Sequence, residues 1–130
     1  MAFWLFKQEP EAYCYADLER DGATTWDGVA NALALQHLRK VRAGDRIWFY
    51  HTGKEKAVVG EMTALADPVE VAKAVTVQVG PVRRLARPVS LAVVKADELL
   101  KGWDLTRLPR LSVMPVTAEQ WARVESLAAG

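Results

Sequence analysis

Residues 46–65 read RIWFYHTGKEKAVVGEMTAL, and this stretch contains the clearest pair of strands in the chain. Residues 46–51 are aromatic and β-branched, which favours a strand, and residues 57–65 form a second apolar run. The polar segment 52–54 (TGK) between them predicts a turn, so the two runs are expected to form a hairpin or meander. Gly60, in the middle of the second run, indicates a bulge or a close backbone approach.

Further strands are predicted on both sides of this hairpin. The first is a short apolar run that stops before Pro10, and a later one alternates valine with polar residues in the pattern of a half-buried strand. Gly80 is expected to end or bend that later strand, and Pro115 is expected to close the last one. These predicted strands are residues 3–7, residues 74–79 with a continuation at 82–86, and residues 110–114.

Helices are predicted where apolar residues recur with a period near 3.6 or where capping residues precede such a segment. Ser90 is placed to cap one helix, and Thr117 with Gln120 forms a capping box before the C-terminal helix. Strands and helices do not alternate regularly, so a doubly wound sheet is excluded and an α+β fold with about five or six strands is expected. The predicted helices are residues 15–20, 30–41, 91–100 and the segment after 117.

The composition is that of one soluble domain. The chain has 130 residues, of which 51% are hydrophobic and 25% charged, and 17 basic against 16 acidic residues give a formal charge of +1. This balance excludes capture of nucleic acid by whole-molecule charge. The first residues do not follow the pattern expected of a signal peptide, no stretch of about 20 apolar residues occurs, and there is only one cysteine. We therefore expect a cytoplasmic protein that does not bind membranes and is a monomer or weak dimer.

Charge is nevertheless distributed unevenly along the chain. Residues 1–27 carry two basic and six acidic side chains, whereas residues 39–56 carry six basic and two acidic, and residues 81–115 seven basic and three acidic. If the two basic segments meet on one face, they form a surface for phosphates; the alternative is an ordinary solvated surface. The residues predicted to contact a nucleic-acid backbone are Arg39, Lys54, Arg83 and Arg110.

Patterns typical of catalytic and metal sites are absent. Cys14, His37 and His51 are the only cysteine and histidines, and their spacing does not indicate a nucleophile with an adjacent base. The chain has no Cys-x-x-Cys, no pair of histidines at helical spacing and no glycine-rich phosphate loop. We therefore assign no catalytic residue, no metal ligand and no cofactor from the sequence.

The five tryptophans are the most informative residues. Trp4, Trp48 and Trp121 lie in apolar surroundings and are expected in the core, and Trp103 is expected in a loop that seals one end of the fold. Trp26 differs, because its neighbours in the segment TTWDG are polar and flexible. A flat ring in such a loop is a stacking surface for a base; the alternative is a ring that plugs the mouth of a barrel.

Four motifs follow one another along nearly the whole chain. They are residues 4–10 (WLFKQEP), 25–31 (TWDGVAN), 44–45 (GD) with 49–51 (FYH), and 110–117 (RLSVMPVT). In this order and at these intervals they resemble the EVE domain family of the PUA-like superfamily. The resemblance implies one EVE domain over residues 1–130, folded as a mixed β pseudobarrel with short flanking helices. It also implies a module that reads modified bases in DNA or RNA, including 5-methylcytosine.

Carried onto this sequence, the resemblance implies a pocket that holds one base flipped from its strand. Trp26 would be the wall or stacking platform, Gly28 would allow a close backbone approach, and the Asn31 amide would read a base edge. Lys7 and His51 would lie at the rim. The ligand-binding residues implied are Lys7, Trp26, Gly28, Val29, Asn31, Tyr50, His51 and Ser112.

Alternatives exist for single residues and for the function. Asn31 would otherwise cap a turn, and His51 would otherwise be a surface residue at a strand end. An enzyme acting on a modified nucleotide or nucleoside would need His51 as its base, and a protein-interaction module would use the basic face. Ala30 stands where the family usually has arginine, which removes a cation near the pocket. Base reading requires a solvent-accessible hollow beside Trp26, and it predicts that Trp26→Ala abolishes binding with little loss of stability.

Overall fold

The computed structural model describes all 130 residues and contains seven strands and five short helices. The strands are β1 (Phe3–Gln8), β2 (Thr24–Trp26), β3 (Arg46–His51), β4 (Ala57–Ala64), β5 (Val69–Val71), β6 (Ala74–Ser90) and β7 (Val113–Val116). The helices are α1 (Tyr15–Asp21), α2 (Ala32–Leu38), α3 (Leu91–Ala96), α4 (Asp104–Arg107) and α5 (Ala118–Ala129).

Six of the strands form one curled sheet in the order β2-β6-β4-β3-β1-β7, and β5 extends it by pairing with β6. β1 and β3 are parallel, whereas all the other pairs are antiparallel. The outer strands β2 and β7 do not pair with each other, so the sheet is an open half-barrel. This confirms the predicted fold class, a mixed β pseudobarrel with short flanking helices.

The central hairpin is formed by β3 and β4, as the sequence predicts. Its pairing shifts register next to Gly60, and a Cβ atom added at this glycine would collide with the ring of Tyr15. The hydroxyl of that tyrosine donates a hydrogen bond to the carbonyl of Glu61 at 2.6 Å. The bulge expected at Gly60 is confirmed, whereas the group that approaches this glycine is the Tyr15 side chain and not another backbone segment. This contact seats helix α1 on the sheet.

The side chains of β3 point alternately to two covered faces of the sheet. On one face, Trp48 stacks on Trp121 of α5, with ring centroids 3.8 Å apart and planes inclined by 14°. On the other face, Phe49 and its β1 partner Phe6 pack against Trp26. The sheet therefore separates an α5 side from a β2 side, and aromatic rings fill both.

Two strands differ from their predicted bounds by more than one residue. β6 continues through Gly80 and Pro81 as a single strand of 17 residues, and the irregularity appears as shifts in its pairing with β4. β7 begins at Val113 and includes Pro115, which was expected to end it. Proline is tolerated here because β7 is an edge strand that pairs only with β1.

Helices α2 and α3 are shorter than predicted, α1 is one residue longer, and three short elements were not predicted. α2 begins only after its cap Asn31, and α3 ends where Asp97 adopts an extended conformation. Trp103, expected in a loop, is buried at the start of α4. β2, β5 and α4 have three or four residues each, too few for a periodic pattern. No helix combines the length and apolarity that crossing a bilayer requires.

Candidate functional site

Trp26 lies at the end of β2 and not in a flexible loop, which corrects the sequence prediction. β2 pairs with β6 and holds the indole against Phe6 and Phe49, at centroid distances of 5.4 and 5.3 Å, so that the residue is only 4% exposed. Truncating such a ring opens a core cavity and costs about 3–5 kcal/mol. The expectation that Trp26→Ala leaves stability nearly unchanged is therefore wrong.

One side of Trp26 nevertheless borders an open hollow of about 330 Å³, which we call the Trp26 hollow. The indole N–H makes no hydrogen bond within the chain and is not fully buried. The hollow that base reading requires is therefore present beside this ring. Its lining residues are Gln8, Ala12, Tyr13, Thr24, Thr25, Trp26 and Asp27.

The polar groups of the Trp26 hollow come from three parts of the chain. Gln8 ends β1, and because its Oε1 accepts a hydrogen bond from the Glu9 N–H at 3.0 Å, its amide NH₂ is left to donate. Tyr13 precedes α1, and its hydroxyl donates to Asp21 at 2.9 Å, which fixes the ring. Asp27 follows β2, is exposed, and has no cation or donor bound to its carboxylate. The hollow thus presents free donors, a free acceptor and aromatic walls.

Lys7 and Tyr50 do not line this hollow. They are partners across β1 and β3, and they alternate with Phe6 and Phe49, so their side chains point to the opposite face. The Lys7 Nζ lies 5.6 Å from the Tyr50 ring centroid and donates to the carbonyl of Pro109 at 3.0 Å. Burial lowers the pKa of Lys7 and raises that of Tyr50 to about 12.

A second hollow, of about 300 Å³, is lined by Asn31, Arg110 and Pro109, whose carbonyl binds Lys7. The Asn31 Oδ1 caps α2 by accepting a hydrogen bond from the Ala34 N–H at 3.0 Å, so the side-chain oxygen has the capping role that was the alternative for this residue. Only the side-chain NH₂ is left to bind a ligand. The other lining residues are Leu33, Arg107, Leu108 and Leu111.

Gly28, Val29 and Ser112 connect or border these regions. The segment 27–31 runs from the Trp26 hollow to the second hollow; within it, Gly28 has a φ of +73° and Val29 is half-buried against the core. The Ser112 carbonyl accepts a hydrogen bond from the Lys7 N–H at 2.9 Å. Of the eight residues implied by the family resemblance, Trp26 lines one hollow and Asn31 the other, and Lys7 and Tyr50 pair on the opposite face. The remaining four, Gly28, Val29, His51 and Ser112, line neither hollow.

His51 has both ring nitrogens occupied. Its Nε2 lies 3.1 Å from the N–H of Tyr15 and accepts from it, and its Nδ1 lies 2.6 Å from the carboxylate of Glu55. This pattern needs the neutral tautomer that carries its proton on Nδ1, which then donates to Glu55. His51 is 7% exposed and fastens the end of β3 to the start of α1. It has no free lone pair to act as the general base that the enzyme alternative needs.

The four cations predicted to contact a nucleic-acid backbone fall into two groups. Arg39 is held by Glu70 through two bonds of 3.1 Å, and Arg83 is held by Glu61 and Glu125. Lys54 and Arg110 form no ion pair and are exposed. The structure contains no cluster of three or more histidine, cysteine or acidic side chains arranged to hold a metal ion.

Sequence reasoning missed several residues of the Trp26 hollow, namely Gln8, Ala12, Tyr13, Thr24, Thr25 and Asp27. A signal for three of them was available, because Thr24, Thr25 and Asp27 flank Trp26 directly. Gln8 and Tyr13 carry no such signal, since only the parallel pairing of β1 with β3 and the seating of α1 bring them beside β2.

The chain is therefore a curled half-barrel with a hollow that aromatic and unpaired polar side chains line. The chain belongs to the EVE domain family, whose model matches residues 2–127. It is 29% identical to thymocyte nuclear protein 1 of Rattus norvegicus over 96% of this chain and 73% of that protein. The Danio rerio protein of the same name is 31% identical, over 95% of this chain and 71% of its own.

Solved structures show the same fold. A protein from Rhodopseudomonas palustris, determined by NMR, superposes with a TM-score of 0.94 at 34% identity and covers 99% of this chain and 94% of its own. The crystal structure of human THYN1 protein in complex with DNA containing 5-methylcytosine also gives a TM-score of 0.94. It is 27% identical and covers 100% of this chain and 99% of its own.

Proposed function

We propose that this protein is a non-enzymatic module that binds nucleic acid by holding one flipped, modified base, 5-methylcytosine, in the Trp26 hollow. Two independent lines support this. The chain belongs to the EVE family, and a relative of the same fold was crystallised with DNA containing 5-methylcytosine. The Trp26 hollow has the size of a small ligand site and the aromatic wall that a flipped base needs.

The polar groups around the hollow are complementary to the edge of cytosine. Cytosine has an amino donor at N4, to which an aspartate carboxylate is a suitable acceptor, and acceptors at N3 and O2. Asp27 supplies that acceptor, and the Trp26 N–H and the Gln8 amide supply two donors. Thymine carries an oxygen in place of the amino group, so Asp27 would repel it.

Selectivity for the methylated base needs apolar contact in addition. One buried methyl group is worth about 1 kcal/mol by transfer alone, or roughly fivefold in affinity. The ring of Tyr13 and the methyl group of Ala12 are the apolar surfaces beside the polar groups of the hollow. Stacking on aromatic side chains contributes about 1–3 kcal/mol for any base, so it provides affinity but little discrimination.

The observation that carries the proposal is that Asp27, whose carboxylate has no partner, lines the same hollow as Trp26, whose indole N–H has no partner within the chain. Asp27→Ala removes the acceptor and, because Asp27 is exposed, is expected to change the free energy of unfolding by less than about 0.5 kcal/mol. We expect the preference for a 5-methylcytosine oligonucleotide over a thymine one to fall by about 10- to 100-fold. Fluorescence anisotropy at fixed salt measures both affinities.

The matched control is Glu98→Ala, which removes the same charge from an exposed position away from the hollow. It should leave the preference unchanged. If the two variants behave alike, Asp27 does not read the base. If the unsubstituted protein shows no preference between methylated and unmethylated DNA, the proposed ligand is wrong.

A further inference from the structure

Three lysines line one hollow on the surface, which we call the lysine hollow. Its volume is about 340 Å³, and it is lined by Lys54 and Lys56 of the β3–β4 turn and by Lys95 of helix α3. None of the three forms an ion pair or a side-chain hydrogen bond within the chain. The remaining lining residues are Glu55, Ser90, Leu91 and Ala92.

The turn and the helix are fixed relative to each other by backbone contacts. The carbonyl of Lys56 accepts a hydrogen bond from the Leu91 N–H at 2.8 Å, and Ala57 pairs with Ser90 across β4 and β6. Ser90 also caps α3 by accepting from the Val93 N–H at 3.2 Å. The three ammonium groups are therefore carried by one rigid framework, although each side chain is itself flexible.

The acidic residue of the lysine hollow is already engaged. The Glu55 carboxylate accepts from the Nδ1 of His51 at 2.6 Å, and no lysine binds it. Three lysines and one glutamate leave a formal balance of +2 at the hollow. No aromatic residue lines it. A site that is positive, polar and without a stacking surface suits a phosphate group better than a base.

One backbone hydrogen bond joins the lysine-bearing turn to a residue that lines the Trp26 hollow, and His51 joins the same turn to the start of α1. The Gln8 carbonyl, at the Trp26 hollow, accepts from the N–H of Thr52, which begins the lysine-bearing turn, at 3.0 Å. His51 contacts Tyr15 through one ring nitrogen and Glu55 through the other. A strand that leaves the Trp26 hollow along this edge would therefore meet the three lysines.

We propose that Lys54, Lys56 and Lys95 bind the phosphates of the nucleic-acid strand whose base occupies the Trp26 hollow. This inference rests on the proposed function for the strand's position and assigns to the lysine hollow a contact that does not depend on base identity. Phosphate contacts position a nucleic acid and contribute salt-dependent affinity, whereas base contacts select the sequence. The two hollows then divide these tasks.

The test is the triple variant Lys54→Ala/Lys56→Ala/Lys95→Ala, assayed against methylated and unmethylated oligonucleotides over a range of salt concentrations. Each phosphate contact contributes about 0.9 to the slope of log affinity against log salt for duplex DNA. Loss of three contacts is expected to reduce the slope by about 2.7. Between about 50 and about 200 mM salt, the unsubstituted protein then loses roughly 40-fold more affinity than the variant. The ratio of the affinities for the two oligonucleotides should not change.

A control variant with the same loss of charge is Lys40→Ala/Lys73→Ala/Lys101→Ala, which alters exposed lysines outside the lysine hollow. For this control variant, the slope of log affinity against log salt should fall much less than for the lysine-hollow variant. The inference is overturned if both triple variants change the slope equally, or if the lysine-hollow variant weakens only the methylated oligonucleotide. Thermal melting of each variant verifies that the fold is retained.

These outcomes separate this inference from the proposed function. If the unsubstituted protein binds both oligonucleotides equally but the lysine-hollow variant lowers the slope, the phosphate site stands and the modified-base pocket does not. If the unsubstituted protein prefers the methylated oligonucleotide but the lysine-hollow variant has an unchanged slope, the modified-base pocket stands and the phosphate site does not. If the unsubstituted protein binds neither oligonucleotide at low salt, both are wrong.

Discussion

The α5 side and the β2 side of the sheet both contain charged residues and tryptophans, but they differ in whether the polar groups of these residues have partners within the chain. On the α5 side, Glu61 is 1% exposed and is bound by Arg46 at 2.7 Å and by Arg83 at 2.9 Å. Arg83 also binds Glu125 of α5 at 2.7 Å. Every charge in this network has a partner, whereas the lysines of the lysine hollow and Asp27 have none.

The tryptophans show the same contrast. The indole N–H groups of Trp48 and Trp121 are buried without a hydrogen-bond partner, and that of Trp4 donates to Asp45 at 2.9 Å. The Trp103 N–H lies 3.4 Å from the carbonyl of Pro115. The Trp26 N–H alone is both unpaired and not fully buried. A residue type therefore indicates binding only where the fold leaves its polar group without an internal partner.

The largest expected effect comes from breaking the network on the α5 side. Glu61→Ala removes the buried carboxylate from between two arginines and should lower the free energy of unfolding by about 3 kcal/mol. This is the lower end of the range for a broken buried ion pair, because both arginines are partly exposed and regain water. Urea denaturation measures the change. A loss below about 1 kcal/mol would show that the network contributes little to stability.

A smaller effect is expected for Arg83, which the sequence suggested as a backbone contact. Arg83→Ala leaves Glu61 bound to Arg46, so we expect a loss of about 1 kcal/mol in stability. The salt dependence of DNA binding should not change, because Arg83 is held by two carboxylates. If the slope falls by about 0.9, as for one phosphate contact, Arg83 leaves its partners to bind nucleic acid.

The sequence predicts the fold well where the signal is local. The bounds of β3 match the prediction because six aromatic, aliphatic and polar residues are followed by an unambiguous turn. β2 was missed because its two threonines and one tryptophan become a strand only by pairing with β6, more than 50 residues away along the chain. β7 was misplaced because the rule that proline ends a strand does not apply to a strand with one free edge.

The candidate site was predictable only in part. The motif around Trp26 drew attention to the right ring, and its two neighbours Thr25 and Asp27 share the hollow. Its burial was not predictable, because local polarity says nothing about Phe6 and Phe49, which reach the indole through tertiary packing. The basic segments were likewise visible in the sequence, but which cations are paired depends on contacts between distant strands, such as those of Arg83.

Placement of a methylated base in the Trp26 hollow can be observed without any substitution. The five indole N–H groups give separate signals in the NMR spectrum of nitrogen-labelled protein. On titration with a 5-methylcytosine oligonucleotide, we expect the Trp26 signal to shift most, because this residue lines the hollow and its N–H is unpaired. The signals of the buried Trp48 and Trp121 should move little. Binding that leaves the Trp26 signal in place would contradict the account.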